Sequence, residues 1–196
     1  MHVNSVSTFL ATGAILIAAG IAAIIVLWLL GSRIAAARDL FERARDGFTG
    51  YGMWLAWLMA VVATLGSLYY SQIAHFIPCE YCWYQRIAMY PLAIILGIAA
   101  FRNDATVRRY VYPIATIGSI ISAYHYLIQQ LPDLATGVCS TVTPCTAALV
   151  WKYDFVSIPF MALVSFAAVI TALTLDRERT DTAIDQDATS RSQGAA

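Results

Sequence analysis

The chain has 196 residues, of which 60% are hydrophobic and only 12% charged. Soluble domains hold about 45–50% apolar and about 25% charged residues, so this composition excludes a soluble globular protein and implies an integral membrane protein. A formal net charge of +0 gives no electrostatic footprint for nucleic acid or an acidic partner, and the length suits one compact helical unit plus tails.

A membrane-spanning helix needs about 20 predominantly apolar residues. The first stretch that qualifies, residues 8–31 ("TFLATGAILIAAGIAAIIVLWLLG"), lacks a basic leader region, is too long for a signal-peptide core and runs into arginines instead of a small-residue cleavage site. It is read as a spanning helix. Residues 32–50 ("SRIAAARDLFERARDGFTG") mix arginines with acids and read as a short interfacial helix or loop, a solvated connector. Four further spans are predicted over 53–76, 84–101, 110–130 and 155–175. From Asp176 onward the chain is polar ("DRERTDTAIDQDATSRSQGAA") and is predicted to be a disordered tail.

Lys and Arg concentrate in loops on the cytoplasmic side. Of the 12 basic residues, Arg33, Arg38, Arg43, Arg45, Arg102, Arg108, Arg109, Arg177, Arg179 and Arg191 fall in one alternating set of segments, and only Arg86 and Lys152 in the other. This asymmetry predicts an outside amino terminus and a cytoplasmic carboxyl terminus. Cys79, Cys82, Cys139 and Cys145 then lie on the extracytoplasmic side, where disulfides persist.

The run "HFIPCEYCWYQR", residues 75–86, sets a C-x-x-C pair at the start of a helix. That position puts the two sulfurs one turn apart, and the free N–H groups of a first helical turn favour a thiolate. Pro78 suits a chain leaving one helix and entering the next. Three readings are open: a structural disulfide, a zinc site completed by the C-x5-C pair, and redox exchange. Closed zinc sites are more typical of soluble modules, and no histidine lies near the second pair in sequence, which weighs against metal. Arg86 follows Cys82 by four residues, on the same helix face and one turn deeper. It reads either as an arginine snorkelling to the headgroups or as a fixed cation that stabilises a Cys82 thiolate and negative charge on an electron acceptor. Pro91 disturbs the carbonyl of Ile87, next to that arginine. Tyr81, Trp83, Tyr84 and Tyr90 crowd the same place, as an interfacial belt or as a ring-binding pocket.

The second pair lies in the longest extracytoplasmic loop, "GVCSTVTPCTAALVWKYDFVSIPF". Its Gly, Ser, Thr and Pro content predicts an irregular, mobile segment, with "AALVWKY" as a short interfacial turn. Such a loop can carry a cysteine between two partners, as thiol exchange requires. His75 and His125 are each open to two readings: His75 as an interfacial histidine or a proton acceptor, His125 as a packed residue bonded to a carbonyl or as a group facing an electron acceptor. Gln72 and Gln129 carry weaker signals.

The run "PCEYCWYQRIAMYPLAIILGIA", the C-x5-C loop and "YDFVSIPFMALVSF" together resemble the DsbB family of membrane disulfide-bond formation proteins, nearest to its BdbC-like branch, over residues 53–175. The resemblance implies an all-α fold, a four-helix transmembrane bundle, with one additional N-terminal transmembrane helix outside the family core. The implied organisation is an N-terminal helix and cytoplasmic connector at 1–50, a redox domain at 51–175 and a cytoplasmic tail at 176–196. The implied activity is protein-disulfide:quinone oxidoreduction in a bacterial plasma membrane: reoxidation of an extracytoplasmic DsbA/BdbD-like thioredoxin-fold protein, with electrons passed to menaquinone or ubiquinone, the BdbC-like character leaning toward menaquinone. By the same resemblance Cys79 and Cys82 are the quinone-proximal pair, Cys82 facing a quinone held by Arg86. Cys139 forms the mixed disulfide with the partner, and Cys145 exchanges with Cys79. The second pair is separated by five residues, where proteobacterial members separate it widely.

Two other classes stay open at this point. A vitamin K epoxide reductase-like protein also joins a C-x-x-C to a quinone, but there the loop cysteines precede the C-x-x-C, and here they follow it. A membrane scaffold with two structural disulfides predicts inert cysteines and tolerance of Arg86→Ala.

Overall fold

A computed structural model describes residues 2–135, 139 and 143–176. The expected disordered tail lies outside these residues from position 177, as does most of the stretch between Cys139 and Cys145. The elements in chain order are α1 (His2–Gly31), α2 (Ala35–Phe48), α3 (Gly52–Leu68), α4 (Glu80–Arg102), α5 (Arg108–Gln130), β1 (Trp151–Lys152), β2 (Val156–Ser157) and α6 (Ile158–Leu175). Five of the helices are long and apolar enough to cross a membrane, and they coincide with the five predicted spans. The protein is an all-α, multi-pass membrane protein.

Helices α3 to α6 form the bundle, with α3 against α4 and α6, and α5 against α4 and α6. Lipid is as apolar as leucine, so such helices associate through close packing and not through exclusion of water. The seams accordingly carry small residues: Ala56, Ala60 and Ala115 are fully buried beside Leu92, Leu96 and Phe166. The Phe166 ring closes on Gly118, where an added Cβ would come within 2.4 Å of it. Bulky side chains such as Leu65, Ile94, Ile117 and Ile120 point outward, as lipid contact requires.

The two ends of the bundle differ. At one end α4 stops where Asn103 takes a left-handed conformation (φ 51°), and Asp104 caps the next turn by accepting from Thr106 N at 2.9 Å. There Asp176 accepts from Gly50 N at 2.7 Å and from Arg108 Nη2 at 3.1 Å, tying the end of α6 to the starts of α3 and α5. Residues 32–50, left open between helix and loop, form α2, which buries none of its side chains. The other end carries all four cysteines.

At that end β1 and β2 make a small antiparallel hairpin, where a short interfacial turn was expected for "AALVWKY". Tyr153 (φ 54°) and Asp154 (φ 62°) are both left-handed, and Phe155 N donates to Lys152 O at 3.3 Å. Two consecutive left-handed residues match the right-handed twist of paired strands, so the chain pairs across them. Helix α1 is the outlier. It lies against α6 and reaches the hairpin, where Lys152 Nζ donates to Asn4 Oδ1.

Candidate functional site

Helix α3 ends in one π-helical turn, Tyr69–Ile73, and the chain reverses through His75 (φ 57°) and Pro78 into α4. Cys79 is the N-cap of α4, with extended backbone (φ −75°, ψ 176°), and its carbonyl accepts from Trp83 N at 3.1 Å. The predicted helix start is therefore where the C-x-x-C pair sits. Both cysteines are free thiols, Cys79 buried and Cys82 half-buried, with 2.9 Å between the sulfurs.

His125 on α5 is 1% exposed and stands against Cys79. Its Nε2 is 3.6 Å from Cys79 Sγ and 3.2 Å from Cys145 O, and its Nδ1 is 3.2 Å from Gln85 Nε2. An amide nitrogen only donates, so Gln85 makes Nδ1 the acceptor and leaves the imidazole proton on Nε2. That proton points at the Cys79 sulfur and the Cys145 carbonyl. The Cys79 thiol is held well below the ordinary thiol range, first by the hydrogen bond from Cys82 and then, against the opposing cost of burial, by His125.

The second pair is a disulfide, Cys139–Cys145, with 5.9 Å between the Cα atoms. Of the loop expected to be irregular and mobile, residues 136–138 and 140–142 lie outside the described ones, while 143–150 run through turns and bends without helix or strand. Cys145 is 2% exposed and packs with Cys79 and Ile128, while Cys82, Cys139, Tyr81 and Tyr124 flank that cluster. All four cysteines thus share one apolar patch, bridged by one imidazole.

Cys79, Cys82 and His125 bring their ligand atoms within 4.8 Å of one another. Two thiolates on a tetrahedral zinc, each at about 2.3 Å, would stand about 3.8 Å apart. The observed 2.9 Å is shorter and suits sulfurs that exchange between dithiol and disulfide.

Arg86 lies one turn below Cys82. Its Nη2 donates to Ser67 O at 3.3 Å, and the guanidinium stands over the Trp83 ring at 5.4 Å, so its fixed partners are a carbonyl and an indole and not a sulfur. Tyr90 OH donates to Ser67 Oγ at 3.1 Å. Cys82, Gln85, Arg86 and Tyr90 line one cavity of about 200 Å³, together with Tyr70, Phe76 and side chains of α1, α3 and α6. A dry cavity of about 150 Å³ accommodates benzene, so there is room for a substituted ring. Tyr70 and Phe76 stack nearly parallel, centroids 5.9 Å apart and planes 6° off. Cationic and amide donors at an otherwise apolar wall fit a planar ring that carries carbonyl oxygens.

The structure thus gathers Cys79, Cys82, Cys139, Cys145 and Arg86 at one end of the bundle. It also brings in Gln85 and the Tyr70–Phe76 pair, which the sequence reading did not single out. Gln85 had a readable signal, since it follows Cys82 by three residues on one helix face. Of the aromatics, Tyr90 lines the cavity and Tyr81 packs on His125 (5.6 Å), whereas Tyr84 is 45% exposed. Among the weaker candidates, His125 is the one built into the site.

The family model for "Disulfide bond formation protein DsbB" matches residues 51–176. A relative in Bacillus subtilis (strain 168), "Disulfide bond formation protein C", is 47% identical over 125 residues, covering 63% of this chain and 90% of that protein. "Probable disulfide formation protein C 1" of Bacillus anthracis is 46% identical over 120 residues, covering 61% and 86%. "Probable disulfide formation protein" of Coxiella burnetii (strain RSA 493 / Nine Mile phase I) is 39% identical over 134 residues, covering 65% and 91%. No solved structure matches the chain.

Proposed function

The chain belongs to the DsbB family, as a BdbC-like membrane disulfide oxidoreductase with a role in disulfide formation, and from that premise we propose that it passes electrons from a reduced thioredoxin-fold partner to membrane quinone. The observation that carries this reading is the two-sided C-x-x-C pair. Cys79 is in contact with His125 and packs with Cys145, while Cys82 opens with Arg86 onto an apolar cavity. A pair built only to staple the fold has no use for that division.

The proposed sequence has four exchanges. A thiolate of a DsbA/BdbD-like partner attacks Cys139 and releases Cys145 as a thiolate. The partner's second thiol resolves the mixed disulfide, which leaves the partner oxidised and the loop pair reduced. Cys145 then attacks Cys79 of a Cys79–Cys82 disulfide and expels Cys82 as a thiolate. Cys139 displaces Cys79 in turn, so the loop disulfide is restored and the C-x-x-C pair is left reduced. That is the bonding present here, with Cys139–Cys145 joined and Cys79 and Cys82 free.

Quinone, menaquinone or ubiquinone, would supply the sink when bound, taking up two electrons and two protons to become quinol. Re-forming the Cys79–Cys82 bond releases two electrons and one proton, the one Cys82 takes up when Cys139 gives up its own to attack, and solvent provides the second proton. Arg86 is assigned the acceptor's carbonyl oxygen, where its charge favours negative charge as it develops. The Cys82 thiol first, and His125 second, hold Cys79 as a thiolate beside its exchange partner. The proposed division is an N-terminal helix and connector at 1–50, a redox domain at 51–175 and a tail at 176–196, with the cysteine end outside the cell and both Arg-rich connectors and the tail inside.

Quinone reduction by the purified protein in detergent, with dithiothreitol as donor, tests the reading. Wild type is expected to reduce quinone, Cys82→Ser to abolish turnover, and Arg86→Ala to raise KM by about 10- to 100-fold, the worth of a charged hydrogen bond. Inactivity of wild type with both quinone classes overturns the reading in favour of a scaffold with structural cysteines.

A further inference from the structure

The cavity beside Cys82 has a wall that the family-matched region does not contain. The match begins at residue 51, and α1 precedes it. Yet Leu10, Gly13, Ala14 and Ile17 of α1 line the same cavity as Cys82 and Arg86. We infer that α1 is a built part of the quinone site and that its side chains select the acceptor by its isoprenoid tail. This rests on the reading that quinone occupies the cavity.

Helix α1 is mostly a lipid-facing rod, with Leu16 68% and Trp28 63% exposed. Its inward stripe is Ser7, Ala11 and Ala14, at 3%, 0% and 7% exposure, spaced four and three residues apart on one face. Small residues there let α1 approach the bundle closely, and Leu10 meets Gly66 of α3, where an added Cβ would stand 3.4 Å from it. Polar contacts fix the N-terminal part of the helix, between Asn4 and Thr12. Besides Asn4 to Lys152, Tyr153 OH meets Thr12 Oγ1 at 2.9 Å; the Thr12 hydroxyl donates to Thr8 O at 2.8 Å, so Tyr153 is the donor. Both hairpin partners lie between the loop disulfide and α6, so the wall is tied to the segment that carries Cys145.

The chemistry of the lining separates two roles. Helix α4 supplies the groups that recognise a carbonyl-bearing ring, whereas α1 supplies hydrocarbon and one gap. A Cβ built on Gly13 meets nothing within 4 Å, so a larger side chain there would enter the open space. Contacts of that kind act on a hydrocarbon chain and not on a ring carbonyl.

Quinone binding, followed by quenching of tryptophan fluorescence, and quinone reduction by the full-length protein are compared between an isoprenylated menaquinone and menadione, the same ring without the tail, for wild type, Gly13→Leu and Gly20→Leu, with the dissociation constant expected to move as KM does. Gly20 is equally open but exposed, and outside the cavity lining. Gly13→Leu is expected to raise KM for the isoprenylated quinone about tenfold while KM for menadione moves less than about twofold. Gly20→Leu is expected to match wild type with both. Ile17→Ala, which trims a half-buried side chain of the lining, should weaken the tail preference in the same assay. Equal behaviour of Gly13→Leu and Gly20→Leu in an active protein overturns the inference alone and leaves the wall to lipid; a parallel rise in KM for menadione overturns it too, since α1 would then act on the ring. Failure of wild type to reduce either quinone removes the underlying reading and this inference with it.

Discussion

The proton on His125 Nε2 is the one atom that faces both thiol pairs, at the Cys79 sulfur and the Cys145 carbonyl. Cys79 owes its lowered pKa first to the Cys82 thiol and second to His125, so the two deletions should differ in size. A depressed thiol pKa means that thiolate persists as pH falls, and reactivity is lost only on passing below the folded-state value. Between about pH 8 and pH 6 an ordinary thiol of pKa about 8.5 loses close to a hundredfold in thiolate, whereas Cys79 should lose little. Iodoacetamide labelling of the reduced protein, followed peptide by peptide, checks this. Cys82→Ala is expected to restore the steep fall at Cys79 more fully than His125→Ala, and a flat profile in both variants would exclude these donors as the cause. Gln85→Leu frees the imidazole to place its proton on Nδ1, away from Cys79. It should slow transfer from the loop pair to the C-x-x-C pair by about tenfold in a single-turnover experiment, while Gln85→Glu, which offers Nδ1 only an acceptor, should be no better.

Helix contacts set the stability of the scaffold that holds these atoms. Asp176 joins α6 to α3 and α5 through Gly50 N and Arg108, both side chains of the ion pair being largely buried. Removing one partner strands the other, so Asp176→Ala should cost about 3 kcal/mol and lower the unfolding midpoint in detergent, more than Arg43→Ala, whose partner Asp39 is on an exposed helix face. At the α5–α6 seam, Gly118→Ala would set a methyl 2.4 Å from the Phe166 ring and should cost about 1–3 kcal/mol. Phe166→Leu opens space on the other side. The double variant is therefore expected to be more stable than the sum of the two single losses, by at least about 0.5 kcal/mol in a thermal-unfolding cycle. Additivity would mean that the two side chains do not meet.

Across the whole molecule, what was legible in the sequence is what local rules govern. Long apolar runs specify the five spans, and Pro78 with the C-x-x-C spacing places Cys79 and Cys82 on the first turn of a helix. The Gln85–His125 bond joins residues 40 apart on different helices, and the α1 wall depends on how α1 leans on the bundle, so neither has a local signature. The hairpin at Tyr153 and Asp154 was hidden for a different reason: its left-handed turn carries no glycine, the usual marker of such turns. Charge asymmetry is the long-range pattern that sequence does carry. In the structure Arg102, Arg108 and the α2 arginines lie at the end of the bundle away from the cysteines, while Lys152 lies at the cysteine end. If that asymmetry orients the protein, Asp133→Cys, at the exposed turn after α5, should react with a membrane-impermeant maleimide in intact cells. Glu42→Cys, on exposed α2, should react only after permeabilisation. Both substitutions are made with the four native cysteines changed to serine, so that any label reports the new thiol. The reverse pattern would put the thiol pairs in the reducing compartment, where reoxidation of a partner by this route would work against the glutathione and thioredoxin pool.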